Sequence, residues 1–181
     1  MAAPPESKLN RHVVLAGPMA SGKTTLGQIL AKRMGRPFVD SDEQLARVHS
    51  LTARDLAAAD GVDTLHAAEV EALIRALGSE SPAVIAAAAA TADSPAALAA
   101  LAESGAAVIL LEGPITLLLD RLKKSSGHRR AMSDAEFEAR TRARSGALLA
   151  VDPLLVVDTS LMDPDESADR ILEALDGEVS S

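Results

Sequence analysis

Short apolar runs alternate with longer amphipathic stretches along most of the chain. "RHVVLAG" (residues 11–17) is a β-branched run closed by glycine, and "KTTLGQILAKRMG" behind it sets Leu26, Ile29, Leu30 and Met34 at helical spacing. This pattern predicts strand, tight loop, helix. Gly35 with Pro37 just beyond stops the helix, and "PFVD" predicts a second short strand. Polar caps announce further helices: Thr52 with Asp55, Ser94 before Pro95, Ser133 with Glu136 as a capping box, and Asp163-Pro164-Asp165-Glu166. Between them, "AVIAAA", "AAVILLEG" and "DPLLVVDTS" are continuous enough to be parallel strands buried on both faces. Strands alternating with helices predict a three-layer α/β fold, a central parallel sheet of about five strands with helices on both faces. No internal repeat interrupts the pattern.

Composition narrows the class. A length of 181 residues fits one domain spanning 1–181, and 48% hydrophobic residues supplies a core, much of it alanine. A net charge of -8 argues against nucleic acid as a partner, because phosphate-backbone binders concentrate Lys and Arg. With two Phe and neither Trp nor Tyr there is no aromatic platform for exposed bases. The absence of Cys excludes disulfides and thiolate metal sites, and His12, His49, His66 and His128 have no ligand spacing. Residues 1–8 read as a disordered tail and no run reaches membrane-spanning length, so the expectation is a cytoplasmic protein, a monomer or weak homodimer, with no membrane partner.

Chemistry enters at "GPMASGKT", which satisfies G-x-x-x-x-G-K-[ST] between a predicted strand and a predicted helix. Glycine at 17 and 22 lets consecutive backbone N–H groups around Ala20, Ser21, Gly22 and Lys23 turn inward, over the positive end of the helix dipole. Lys23 then bridges β- and γ-phosphates and the Thr24 hydroxyl ligates Mg²⁺, with Thr25 beside it in the first helical turn. The chain has neither an Asn-Lys-x-Asp base reader nor an Asp-x-x-Gly switch, which leaves small-molecule kinases ahead of GTPases.

The stretch "FVDSDEQLARVHSLTARDLAAADGVDTLHAAE" resembles the shikimate kinase family, and the likeness spans residues 12 to about 175, including the "VDT" that ends the last strand. That resemblance implies a P-loop kinase fold with a mobile lid, and ATP and Mg²⁺ as cofactors. Asp40 corresponds to an aspartate that holds Mg²⁺ through water, and Asp42 to one that contacts the hydroxyl being phosphorylated. Two carboxylates two apart at a strand end suit those paired roles. Asp42 is equally placed to cap the next helix. The basic segment "LKKSSGHRRAMSD" reads as a lid loop at about 123–133 or a solvated linker, and Arg129 or Arg130 corresponds to the lid arginine that reaches the transferring phosphate. Arg121 matches a position from which arginine packs on adenine. All three arginines also fit plain surface charges.

The acceptor side departs from the family. Its Phe-Arg-x-x-Glu is Leu65-His66-Ala67-Ala68-Glu69 here, so His66 replaces an arginine that clamps the substrate carboxylate, and an imidazole cannot make that bidentate fork. His66 and Glu69 also fit a surface i, i+3 pair. A second carboxylate-binding arginine falls on Ser145, so that Arg144 serves only after a one-residue shift. The family's triple glycine falls on Ala88, Ala89 and Ala90. Two functions fit these residues. One is an ATP- and Mg²⁺-dependent kinase for a hydroxyl of a small metabolite, either shikimate or a related cyclitol, sugar or polyol. The other is a nucleotide-binding relative with weak or no kinase activity.

Overall fold

The computed structural model describes residues 10–41, 43–45, 53–124 and 132–179. Five parallel strands, β1 (Val13–Ala16), β2 (Phe38–Asp40), β3 (Val84–Ala86), β4 (Ala107–Glu112) and β5 (Leu155–Asp158), form one sheet in the order β2-β3-β1-β4-β5. The helices are α1 (Lys23–Met34), α2 (Ala53–Asp60), α3 (Val62–Leu77), α4 (Pro95–Glu103), α5 (Ile115–Lys124), α6 (Asp134–Leu149) and α7 (Pro164–Val179). A 3₁₀ turn over Ala89–Asp93 comes after β3.

Alternation along the strands divides the core into two layers, because successive side chains of a strand point to opposite faces. Val13, Leu15, Ile109 and Leu111 face α1 and α7, packing with Leu26, Leu30, Ile171 and Leu175. Val14, Ala16, Ile85, Val108 and Leu110 face the other way, onto Leu73 of α3, Leu101 of α4 and Leu148 of α6. The three-layer expectation therefore holds.

Local signals acted largely as the sequence predicts. Gly35 takes φ 64 and its N–H reaches back to Ala31 and Lys32 carbonyls, ending α1. Ser94 caps α4, and Ser133 with Glu136 forms the reciprocal capping box of α6. Two expectations are corrected. The stretch "DPLLVVDTS" is not buried on both faces: β5 is an edge strand, Val157 is its one buried residue and Val156 is exposed. The helical region behind Thr52 is two helices rather than one, separated at Gly61, whose φ of 91 breaks the helix. Thr52 itself lies outside the described residues, as do the tail at 1–8 and residues 125–131 of the lid segment.

The topology fixes where a ligand binds. β1 and β3 are neighbours, yet the chain leaves β1 toward α1 on one face and leaves β3 toward α4 on the other. The crevice between their carboxyl ends is the switch point at which open α/β sheets hold ligands.

Candidate active site

The loop from Gly17 to Gly22 leaves the carboxyl end of β1 at this crevice. Gly17 has φ +144, and a methyl there would sit 2.3 Å from the Leu111 carbonyl oxygen of β4, so only glycine fits. Ala20 and Gly22 have φ 62 and 93, left-handed values that turn the loop back into α1. No side chain caps the N-terminus of α1, the end at which a helix attracts anions. The Ser21 hydroxyl is buried beneath the loop with no hydrogen-bond partner among the described residues. An orphaned donor in such a loop suits a phosphate oxygen.

Lys23 opens α1 and curls over the loop, its Nζ donating to the Gly17 carbonyl at 2.9 Å and the Pro18 carbonyl at 2.7 Å. Thr24 Oγ1 donates to Asp40 Oδ2 at 2.8 Å, joining the start of α1 to the end of β2. This hydroxyl and carboxylate are hard oxygen donors of the type Mg²⁺ takes, with substrate phosphates and water completing its shell. Among the described residues no group of three or more His, Cys, Asp or Glu is placed to hold a metal ion. Thr25, one residue on, is exposed in the first turn of α1.

A small apolar cluster supports the loop from outside. Met19 and Ala20 pack against Leu118 and Leu122 of α5 and Phe137 of α6. Those helices flank the segment that holds Arg129 and Arg130, both of which lie outside the described residues. On the far side, Arg121 of α5 donates to Thr159 Oγ1 at 3.0 Å and to the Thr159 carbonyl at 2.9 Å, at the end of β5. Asp158 beside it is held below the usual carboxylate range by hydrogen bonds from the Ser160 hydroxyl and N–H, helped by the Arg121 charge.

Of the residues expected on the acceptor side, Ala88 and Ala89 follow the carboxyl end of β3. Ser41 Oγ donates to the Ala86 carbonyl at 2.8 Å and accepts from the Ala88 N–H at 3.2 Å, tying the turn after Asp40 to the start of the 3₁₀ segment. Ala88 has φ -60 and ψ 143, and Ala89 and Ala90 enter the 3₁₀ turn, conformations open to any L-residue. Helices α3 and α6, which carry His66 and Arg144, pack on that turn. Asp42 lies outside the described residues. The surface-pair alternative for His66 and Glu69 is corrected, because Glu69 is buried at 7% exposure on the inner side of α3.

One residue of this region belongs to no motif. Asp93, at the end of the 3₁₀ turn, receives both arms of Arg144: Nε to Oδ1 at 3.0 Å and Nη2 to Oδ2 at 2.6 Å. This fork holds the Asp93 carboxyl below its ordinary value, with smaller help from the charges of His66 and Arg140. A signal existed, since Asp93 is the one charged residue between Glu80 and Glu103.

Comparison with known proteins agrees with this fold. The family described as shikimate kinase matches residues 19–176. A shikimate kinase from Geobacter sulfurreducens is 32% identical over 150 residues, 78% of this chain and 81% of that protein. One from Symbiobacterium thermophilum is 40% identical over 70 residues, a match that spans 39% of this chain and only 40% of the relative's length. Among solved structures, the shikimate kinase from Acinetobacter baumannii in complex with shikimate superposes with a TM-score of 0.84 at 22% identity, covering 95% of this chain and 96% of the other. With the family match running from the phosphate loop to the last helix, and a relative aligned over most of both lengths, the chain belongs to the shikimate kinase family.

Proposed function

We propose that the protein is an ATP- and Mg²⁺-dependent phosphotransferase that moves the γ-phosphate of ATP to a hydroxyl of a small metabolite, either shikimate or a related cyclitol, sugar or polyol. The observation that carries this reading is the Thr24 to Asp40 hydrogen bond at the mouth of the phosphate loop, which pairs a metal-ligating hydroxyl with a carboxylate beside the crevice. In this role the N–H groups of Ala20 to Lys23 cradle the phosphates and Lys23 gives up its loop carbonyls for phosphate oxygens. Thr24 and Asp40 are the residues that would hold Mg²⁺, which when bound would neutralise charge on the departing β-phosphate of ADP. The acceptor oxygen forms its bond to the γ-phosphorus as the bond to the β–γ bridging oxygen breaks, and the hydroxyl proton passes to a base. By family resemblance that base is Asp42, and Arg129 or Arg130 closes over the transferring group while Arg121 flanks the adenine.

The test is ADP release by the full chain with MgATP and a panel of polyols, sugars, sugar acids and shikimate. Acceptor-dependent ADP formation is expected with at least one compound, and Lys23→Ala abolishes it together with most ATP affinity. ATP binding without turnover on the whole panel favours the second reading, a nucleotide-binding relative that has lost its acceptor. Unchanged ATP binding in Lys23→Ala refutes both.

A further inference from the structure

The ion pair between Asp93 and Arg144 is asymmetric in a way that bears on the acceptor. Arg144 has 8% of its side chain exposed, whereas Asp93 keeps 48% of its own in solvent. The fork is thus sunk into the protein with a carboxylate laid over it. Asp93 closes the 3₁₀ turn that leaves β3, whose N-cap, Ala88, donates its N–H to Ser41 Oγ next to Asp40, and β3 itself lies between β2 and β1. The turn borders the crevice where it leaves β3, and the exposed half of the Asp93 carboxylate offers hydrogen-bond acceptors carrying negative charge.

From this arrangement we infer that Asp93 is an acceptor-specificity residue, an internal carboxylate that occupies Arg144 and selects neutral polyhydroxy acceptors against carboxylic acids. The inference rests on the phosphotransferase reading for its crevice, and deepens it by naming the substrate class. A carboxylate ligand competing for Arg144 meets two obstacles. It must displace a tethered rival whose effective concentration is in the millimolar range or above, and it brings a second negative charge against Asp93 in a partly desolvated site. A neutral polyol meets neither, and its hydroxyls donate to the remaining lone pairs of the two Asp93 oxygens, each of which already accepts from Arg144. Two other cations bear on Asp93, His66 from α3 and Arg140 from α6. Arg140 is solvent-exposed, so its charge is screened, and His66 is half-buried with no fork to offer.

Binding, rather than turnover, tests this directly. Shikimate and its primary-alcohol counterpart, in which hydroxymethyl replaces the carboxylate, are titrated calorimetrically into the full chain with ADP and Mg²⁺, and into Asp93→Asn and Asp93→Ser, with folding of both variants checked by circular dichroism. Wild type is expected to bind the alcohol at least about tenfold tighter than the acid, and removal of the Asp93 charge to improve acid binding by about tenfold or more as Arg144 is released. A wild-type preference for the acid overturns the inference without recourse to any variant. So does acid affinity that stays level or falls in a folded variant, or a failure of wild type to bind either compound. If the binding shift appears and no phosphorylated product forms, the specificity role stands and the phosphotransferase reading falls.

Discussion

Three glycine-to-alanine substitutions separate backbone conformation from packing at the phosphate loop. At Gly17 the added methyl would meet the Leu111 carbonyl oxygen at 2.3 Å and its carbon at 3.2 Å, and φ is +144. Leu111 lies fully buried on β4, so the loop must move instead. Strain at such a φ costs about 1–3 kcal/mol, and forcing a methyl into a packed wall costs about 1–3 kcal/mol more. At Gly22 φ is +93 and nothing lies within 4 Å of the added carbon, which leaves only the left-handed strain of about 1–2 kcal/mol. At Gly146 nothing lies within 4 Å and the residue is exposed inside α6, where alanine gains roughly 0.5–1 kcal/mol over glycine. For a chain of this size each kcal/mol moves the melting temperature by about 2–4 °C. Thermal unfolding followed by circular dichroism is therefore expected to drop by roughly 5–20 °C for Gly17→Ala, by about 2–8 °C for Gly22→Ala, and to rise slightly for Gly146→Ala. ATP affinity is expected to fall most in Gly17→Ala, where the Leu111 contact forces the phosphate loop itself to move. A Gly17→Ala protein no less stable than Gly22→Ala would refute the argument from the Leu111 contact.

Thr24→Val removes the hydroxyl bonded to Asp40 and is expected to raise the Mg²⁺ requirement of ATP turnover by about 10–100-fold, whereas Thr25→Val on the same exposed turn leaves it nearly unchanged; equal effects in a Mg²⁺ titration would refute the Thr24 to Asp40 metal corner. For pH, Asp93 has a folded value below its ordinary 3.8, through the Arg144 hydrogen bonds first. Its contribution is therefore complete above about pH 5 and lost as pH falls through that lowered value. Urea unfolding of wild type and Asp93→Asn is expected to show a gap of about 1 kcal/mol at pH 6 that begins to narrow as pH falls below about 4, the figure for a charged hydrogen bond being reduced because half of Asp93 stays in solvent. A gap that does not narrow at all as the pH is lowered from 6 toward 2 would show that charge is not its source.

The nucleotide half of the crevice was legible because its determinants are local. Gly17, Gly22, Lys23 and Thr24 lie within eight residues, and the loop conformation depends on which of them tolerate positive φ. The caps at Ser94, Ser133 and Gly35 are local in the same sense. Asp40 needed one step of inference across 16 residues, which the strand, loop and helix order provided. The burial of Glu69 was not legible, since a single carboxylate on an alanine-rich helix reads as solvated until its neighbours are known. Nor was the exposure of β5, whose apolar run is indistinguishable from that of a central strand until the sheet order sets it at the edge.

The alanine tract from Ala86 to Ala90 shows the same division. The run "AVIAAA" that leads into it announces a buried strand, and β3 (Val84–Ala86), between β2 and β1, is that strand, while Ala88 to Ala90 lie beyond it at the start of the 3₁₀ turn. The use made of the turn beyond β3 depends on a distant helix. Asp93 and Arg144 are 51 residues apart, and nothing near either one specifies the other; they meet because α6 lies across the turn that leaves β3. A phosphate loop, its lysine and an α/β fold are all written in short-range backbone preferences and hydrophobic periodicity, which a linear reading of the residues captures. The capture of Arg144 by a carboxylate of the same chain is not written there, because an ion pair between distant segments exists only once the helices that carry its partners have packed.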